Sequence, residues 1–386
     1  MGNEVLFPGD TLGIIGDSSN GIRLAQTAKR LGFKVIIYAT NEGSPTLADA
    51  DVKIVGDFSD KAKLQDFAER CDLVMYESEH ISSEVIAYLQ KFTKVPQGSE
   101  TLEIVQDRLL ERAFFEQMNI NIAPYATIVS LEDVYQAVSS IGYPCVLKPI
   151  QKGFGPKRQQ IGPKRQQIIR KQTDIAKCAD IIDMGTYILE SWIPYNKELS
   201  VIMTRDYDGN LAYFPVIETR YKENRLNEAI VPANIQPDVE EEVKRLAGEI
   251  VSGLKYVGAL EVAFYLTESG SLYVKRIVPA LHNSGYVFDK ATNVSMFEQH
   301  LRTLVKMPLV DIKLVQPAGM VMIEEENIDD IRTQWVLKNN WYYTFFRYPE
   351  SMRPQPEGYI IVLAESEMEI KQQIESTGIW DDLSKE

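Results

Sequence analysis

Short apolar runs alternate with stretches of helical spacing over residues 10–100, and few folds satisfy that alternation. DTLGIIG (10–16) is apolar and ends on glycine, and IRLAQTAKRLG (22–32) repeats apolar residues at helical spacing up to a closing Gly32. FKVIIYAT (33–40) is β-branched and aromatic; VKIVGD (52–57), a helix near 60–70 and CDLVMYES (71–78) continue the series. The pattern predicts a parallel, doubly wound sheet to about residue 100, with Gly16 and Gly21 in the first strand-to-helix turn. Those glycines are a weak dinucleotide signal, because any tight turn of this kind favours glycine.

Beyond residue 100 the pattern changes. QDRLLERAFFEQM (106–118) predicts one helix with charged and apolar faces, YPCVLKPI (143–150) a strand carrying Lys148, and YILESWIP (187–194) follows a helix expected near 173–183. ELSVIMTRDYDGNLAYFPVIETRY (198–221) reads as a hairpin turning at DYDGN, where Asp-Gly favours a tight turn, and ALEVAFYLTESGSLYVKRIV (259–278) as another turning at ESGS. VEEEVKRLAGEIVSGL (239–254) is helical, and from about 312 the runs AGMVMIE, WYYTFFRY and GYIIVLA predict a small β-rich C-terminal domain.

Composition narrows the class. A chain of 386 residues, 45% hydrophobic and 25% charged, suits a globular protein of two or three domains. No apolar run approaches the roughly 18 residues that span a bilayer, and the opening MGNEVLF lacks a basic-then-apolar leader, so no membrane partner is expected. Cys71, Cys145 and Cys178 are too widely spaced to suggest a disulfide framework or a zinc site, and a cytoplasmic location is expected. The net charge of −14 argues against nucleic acid, although a local basic pocket still suffices for a nucleotide.

Several longer stretches carry a resemblance. YESEH (76–80), QDRLLER (106–112), VLKP (146–149), LESWIPYNKELSV (189–201), GALEVAF (258–264) and PALHNSGYVFDKATNVSMFEQHLR (279–302) resemble, in order and spacing, the N5-carboxyaminoimidazole ribonucleotide synthetases of the ATP-grasp superfamily. The resemblance implies α/β and α+β architecture in three parts: a Rossmann-like domain over 1–100, an ATP-grasp domain over 101–311 with a flap subdomain at about 120–190, and a small β-rich domain over 312–386. It implies that ATP and bicarbonate form carboxyphosphate, whose carboxylate passes to the amine of aminoimidazole ribonucleotide. It also implies Mg²⁺ as cofactor and, by analogy alone, a homodimer.

By the same resemblance, Arg108 and Lys148 grip ATP, Glu190, Trp192 and Ile193 hold the adenine largely through backbone groups, and Glu198 meets the ribose. Gly153, Phe154, Lys157 and Gln159 match a glycine-rich flap over the phosphates. Glu77, His282, Asn283 and Ser284 match substrate-binding positions, and Glu261 matches a Mg²⁺ ligand. No catalytic residue is assigned.

The departures lie at the same places. The second metal ligand belongs in a family element Asn-Glu-Ile-Ala-Pro-Arg, which here reads Lys275, Arg276, Ile277, Val278, Pro279, Ala280; a guanidinium replaces a carboxylate. The first loop has Asp17, Ser18, Ser19 and Asn20 in place of a glycine-rich sequence with Gln, Tyr221 replaces a His, and Thr344 replaces a Lys. GPKRQQI occurs twice, at 155–161 and 162–168; proline there removes a donor from the cradle, and the second copy reads as a solvated extension of a loop. Carboxylation of aminoimidazole ribonucleotide is the leading expectation. A nucleotide- or anion-binding paralogue without that activity and an ATP-grasp ligase of changed substrate are the alternatives.

Overall fold

The computed structural model describes residues 5–152, 166–182, 185–222, 224–352 and 355–380. The alternating N-terminal pattern forms a four-stranded parallel sheet in the order Val52–Val55, Lys34–Ala39, Thr11–Ile15, Leu73–Tyr76. Leu12, Ile14 and Ile15 of the inner strand are wholly buried, as expected of a parallel strand covered on both faces. The strands end at Ile15, Ala39 and Tyr76, so the loops that begin at Gly16, Thr40 and Glu77 gather the polar residues of this carboxyl edge.

A second, antiparallel four-stranded sheet follows in the order Tyr125–Ile128, Tyr187–Ser191, Cys145–Pro149, Gln167–Ile169. Cys145, Leu147, Ile169 and Leu189 pack beneath it with Val134 of the helix Leu131–Ile141 and with Ile175 and Cys178. Strand alternation sends Val146, Lys148 and Glu190 to the opposite face. The last residues of the second GPKRQQI heptad, Gln167 and Ile168, pair with Leu147 and Val146, so that end of the repeat is part of the sheet.

A nine-stranded antiparallel sheet takes the rest of the chain. Its order is Leu272–Val278, Gly258–Leu266, Lys197–Arg205, Ile217–Lys222, Arg225–Val231, Ala318–Ile323, Gly358–Leu363, Trp341–Phe345, with Leu211–Tyr213 beside Lys197–Arg205. Both expected hairpins are present, one turning at Asp206, whose carboxylate accepts from the backbone of Asp208 and Asn210, the other through Gly270 at φ +82. The sheet continues without a break across residue 312.

Three elements differ from expectation. The helix expected over 106–118 is present as Arg108–Gln117, with Asp107 extended and its carboxylate capping Leu109 and Leu110 N–H, and a separate helix that was not expected, Glu100–Gln106, precedes it. The stretch near 173–183 is a tight 3-10 helix, Gln172–Asp180. The C-terminal region carries a helix, Ile328–Leu337, between its strands and another, Glu367–Glu375, after the last of them.

Part of the FEQHLR signature is structural. On the helix Met296–Leu304, His300 is wholly buried and its Nδ1 accepts from Ala259 N–H at 2.9 Å, while Gln299 closes two hydrogen bonds with the Val310 backbone. Burial pushes the His300 pKa down to about 3, which keeps the ring neutral and able to accept. Gly258 sits at φ +129, where a Cβ would lie 2.9 Å from His300 Cε1. Gly258→Ala is therefore expected to destabilise the fold by about 2–3 kcal/mol in denaturant titrations. Gly270→Ala, at φ +82 with open space around it, should cost only about 1 kcal/mol.

Candidate active site

The open face of the small sheet and the end of the helix Arg108–Gln117 hold a chain of alternating charges. Glu190, 3% exposed, accepts from Lys148 Nζ at 2.7 Å and from Arg112 Nη2 and Nε at 2.6 and 2.9 Å. Arg112 also faces Glu111 at 3.5 Å, and Glu111 binds Lys152 Nζ at 2.8 Å. Burial alone would raise the pKa of Glu190, but Lys148 and Arg112 outweigh it and hold the carboxyl well below the usual range. Arg108 sits at the same corner, its Nη1 donating to Pro149 O at 2.9 Å beside Lys148. Glu111 reaches across to accept from Ile277 N–H at 3.1 Å, which ties this helix to the large sheet.

Glu111, Arg112 and Lys152 were not singled out from sequence. Arg112 follows Arg108 by one helical turn and so shares its face, a legible signal. Its partner lies 78 residues away and was not legible.

On the large sheet Glu261 is wholly buried. Its Oε1 accepts from Ser200 Oγ at 2.5 Å and Ser284 Oγ at 2.8 Å and lies 2.8 Å from His282 Nδ1; its Oε2 lies 3.6 Å from Arg276 Nη2. That guanidinium nitrogen also meets Tyr221 Oη at 3.1 Å and His282 Nε2 at 3.0 Å. Burial works against the Glu261 charge, yet His282, Arg276 and Ser200 keep its pKa far below normal. One strand away Glu198 is ion-paired with Lys275, whose ammonium lies 4.4 Å from the Tyr221 ring centre and 5.2 Å from that of Tyr265.

The third cluster joins the N-terminal sheet to the 282–286 turn. Glu77 accepts from Ser18 N–H and Oγ. A Cβ at Gly16, φ +138, would lie 2.0 Å from Glu77 Oε1, so this glycine permits the close approach. Asn20 donates to Leu281 O at 2.8 Å and accepts from Tyr286 Oη at 2.9 Å, and Ser19 Oγ lies 2.7 Å from the same phenol. Asp17 accepts from Thr40 N–H and Oγ1. Burial first, with Asp17 and Glu79 adding to it against the Ser18 hydrogen bonds, pushes Glu77 up to about 7.

Two family models match this chain: a ribonucleotide synthetase preATP-grasp domain over residues 10–106 and an ATP-grasp domain over 113–297. An N5-carboxyaminoimidazole ribonucleotide synthase of Bacillus subtilis is 31% identical over 381 residues, 98% of either chain. That of Staphylococcus saprophyticus is 28% identical over 95% of this chain and 96% of its own. The chain belongs to the N5-carboxyaminoimidazole ribonucleotide synthetase family. Solved structures agree: an ADP complex of one such synthetase has a TM-score of 0.93 at 30% identity, covering 99% of this chain and 100% of that one. The Staphylococcus aureus synthetase has a TM-score of 0.90 at 25% identity, covering 98% of this chain and 99% of its own.

The residues that the synthetase resemblance pointed to fall into these clusters. Arg108, Lys148 and Glu190 stand together, with Ile193 buried and Trp192 44% exposed just beyond; the Trp192 N–H is already bonded to Pro144 O. Glu198, Glu261, His282 and Ser284 line the large sheet, and Asn283 begins the 283–287 turn. Gly153, Phe154, Lys157 and Gln159 lie outside the described residues.

A divalent cation does not fit the Glu261 position. The three donors on Oε1 and the guanidinium at Oε2 surround the carboxylate, and no group of three or more His, Cys, Asp or Glu able to hold a metal occurs among the described residues. At about 4 Å a dication and a guanidinium repel by about 8 kcal/mol at an effective dielectric near 20.

The Glu77 carboxyl gives a measurable pH signature. Its folded pKa lies above its ordinary 4.5, so the native state holds an extra proton between the two values. The stability this proton contributes is present below about 4.5 and lost as pH rises through about 7. Glu77→Gln keeps the shape of the neutral form and is expected to match wild type near pH 4.5 but to exceed it by about 3 kcal/mol near pH 8 in urea titrations. Parallel pH profiles for the two proteins would remove the assignment.

Proposed function

We propose that this chain is an ATP-dependent ligase that carboxylates the amine of 5-aminoimidazole ribonucleotide, in the cytoplasm and, by family analogy, as a homodimer. The observation that carries the reading is the buried Lys148–Glu190–Arg112 network, with Arg108 beside it, at the place where the matched ATP-grasp domain brings its two sheets together. An alternating network of this kind holds the lysine in one place without neutralising it, since Glu190 is shared with Arg112. A fixed ammonium beside a guanidinium is suited to phosphate oxygens.

In this reading a bicarbonate oxygen attacks the γ-phosphorus and the bond to ADP breaks. The ribonucleotide amine then attacks the carboxyl carbon, the bond to phosphate breaks, and the amine loses a proton. The chain's own part is to fix the phosphates with Lys148 and Arg108 and to exclude water from the acyl phosphate. Glu77 and the 282–284 turn are the groups we assign to the ribonucleotide side.

ADP release by the purified chain with bicarbonate, with and without aminoimidazole ribonucleotide, tests the reading. Turnover that depends on the ribonucleotide is expected. ATP binding without such turnover would leave a nucleotide-binding chain that is not a ligase. Lys148→Ala should weaken ATP binding by about tenfold or more in calorimetry while shifting the melting temperature little, because Arg112 still pairs Glu190.

A further inference from the structure

We infer that Lys275 and Arg276 take the place of a divalent cation in this cleft, so that the chain binds its nucleoside polyphosphate as the metal-free anion. The inference deepens the proposed function and rests on its nucleotide-binding part.

The order of charges from the interior outward decides the point. For a metal to bind, carboxylates must present oxygens to the cleft. Here Glu261 is 0% and the Glu198 side chain 3% exposed, whereas the side chains of Lys275 and Arg276 keep 22% and 30% of their surface open. The anions lie behind and the cations in front. What the sheet offers a ligand at this place is therefore positive, fixed and already dehydrated on its inner side.

The four charges also balance without any ion. Lys275 answers Glu198, and Arg276 faces Glu261 at 3.6 Å across an Oε2 that has no hydrogen-bond partner among the described residues, so a guanidinium stands where a cation would have to approach. Both cations are held from the side as well: the ammonium lies against the Tyr221 and Tyr265 rings, with Tyr265 stacked on Tyr195 at 4.4 Å, and the guanidinium meets Tyr221 Oη and His282 Nε2. The Arg276 Nε–H is buried and lacks a hydrogen-bond partner among the described residues, as does Glu261 Oε2, so a ligand would meet the exposed part of the guanidinium. A partly exposed guanidinium next to a partly exposed ammonium suits a polyphosphate, whose oxygens accept from both.

The sheet register fixes the pair. Arg276 stands opposite Ala263, and Val278 stands opposite Glu261, so Arg276 reaches the carboxylate diagonally. On the same strand Ile277 N–H is bonded to Glu111 of the Lys152–Arg112–Glu190–Lys148 network, so the cations of the two sheets border one opening.

The test is calorimetric titration of the full-length chain with ATP, once in EDTA and once in excess Mg²⁺. The expected dissociation constants agree within about threefold. Binding that is about tenfold or more weaker in EDTA would overturn the inference while leaving nucleotide binding intact; no binding in either condition would overturn it together with the nucleotide-binding reading. A second measurement uses Lys275→Asn with Arg276→Glu, checked for folding by its thermal transition. If it folds, its ATP affinity should become Mg²⁺-dependent by about tenfold or more, and affinity as insensitive to Mg²⁺ as wild type would also sink the idea. The wild-type comparison needs no substitution and decides the matter even if that variant does not fold.

Discussion

A carboxylate taken wholly out of water must be met by positive charge and by enough donors to replace its hydration, and Glu261 sets that demand at the centre of this molecule. The response comes from three segments: Ser200 from one neighbouring strand, Arg276 from the other, and His282 and Ser284 from the turn that follows. Because that turn is also stitched to the first loop through Asn20 and Tyr286, the requirements of one buried charge extend from the large sheet to the edge of the N-terminal sheet. Removing the guanidinium would leave the charge without its ion-pair partner, so a substitution at 276 cannot be read as a change in ligand contact alone.

Much of the architecture was legible in sequence because periodicity reports burial. The parallel strands and both hairpins appear where apolar alternation and the Asp-Gly and Ser-Gly turns place them. The helix Glu100–Gln106 was not read from sequence, and only the capping of Leu109 and Leu110 N–H by the Asp107 carboxylate shows where it stops and the expected helix starts. The helix Ile328–Leu337 was missed for a different reason: a single buried residue, Ile331, gives it little apolar periodicity to read.

The site divides the same way. Sequence resemblance pointed to Lys148, Glu190, Glu261 and His282 as candidates, and it flagged Arg276 as out of place. It could not say that Arg276 is neutralised by the very carboxylate expected to hold a metal, because that depends on a diagonal contact between strands. Nor could it separate residues that meet a ligand from those that hold the frame. His300 and Gln299 belong to the most specific stretch of resemblance, yet both are spent on backbone groups of Ala259 and Val310.

The unbroken hydrogen bonding from Leu272–Val278 to Trp341–Phe345 has a mechanical consequence. A ladder of paired strands resists shear along its length, so the surface bearing Glu261 and the three C-terminal strands respond to load as one plate. Among the described residues no strand of the small sheet pairs with that plate, and the segment leading into it meets the plate through one bridge, Val274 N–H donating to Asn121 O. The helix Arg108–Gln117 links the two, through Arg112 to Glu190 of the small sheet and through Glu111 to Ile277 N–H of the plate. A load that parts the two sheets therefore falls on those few side-chain contacts first, while the plate keeps its shape.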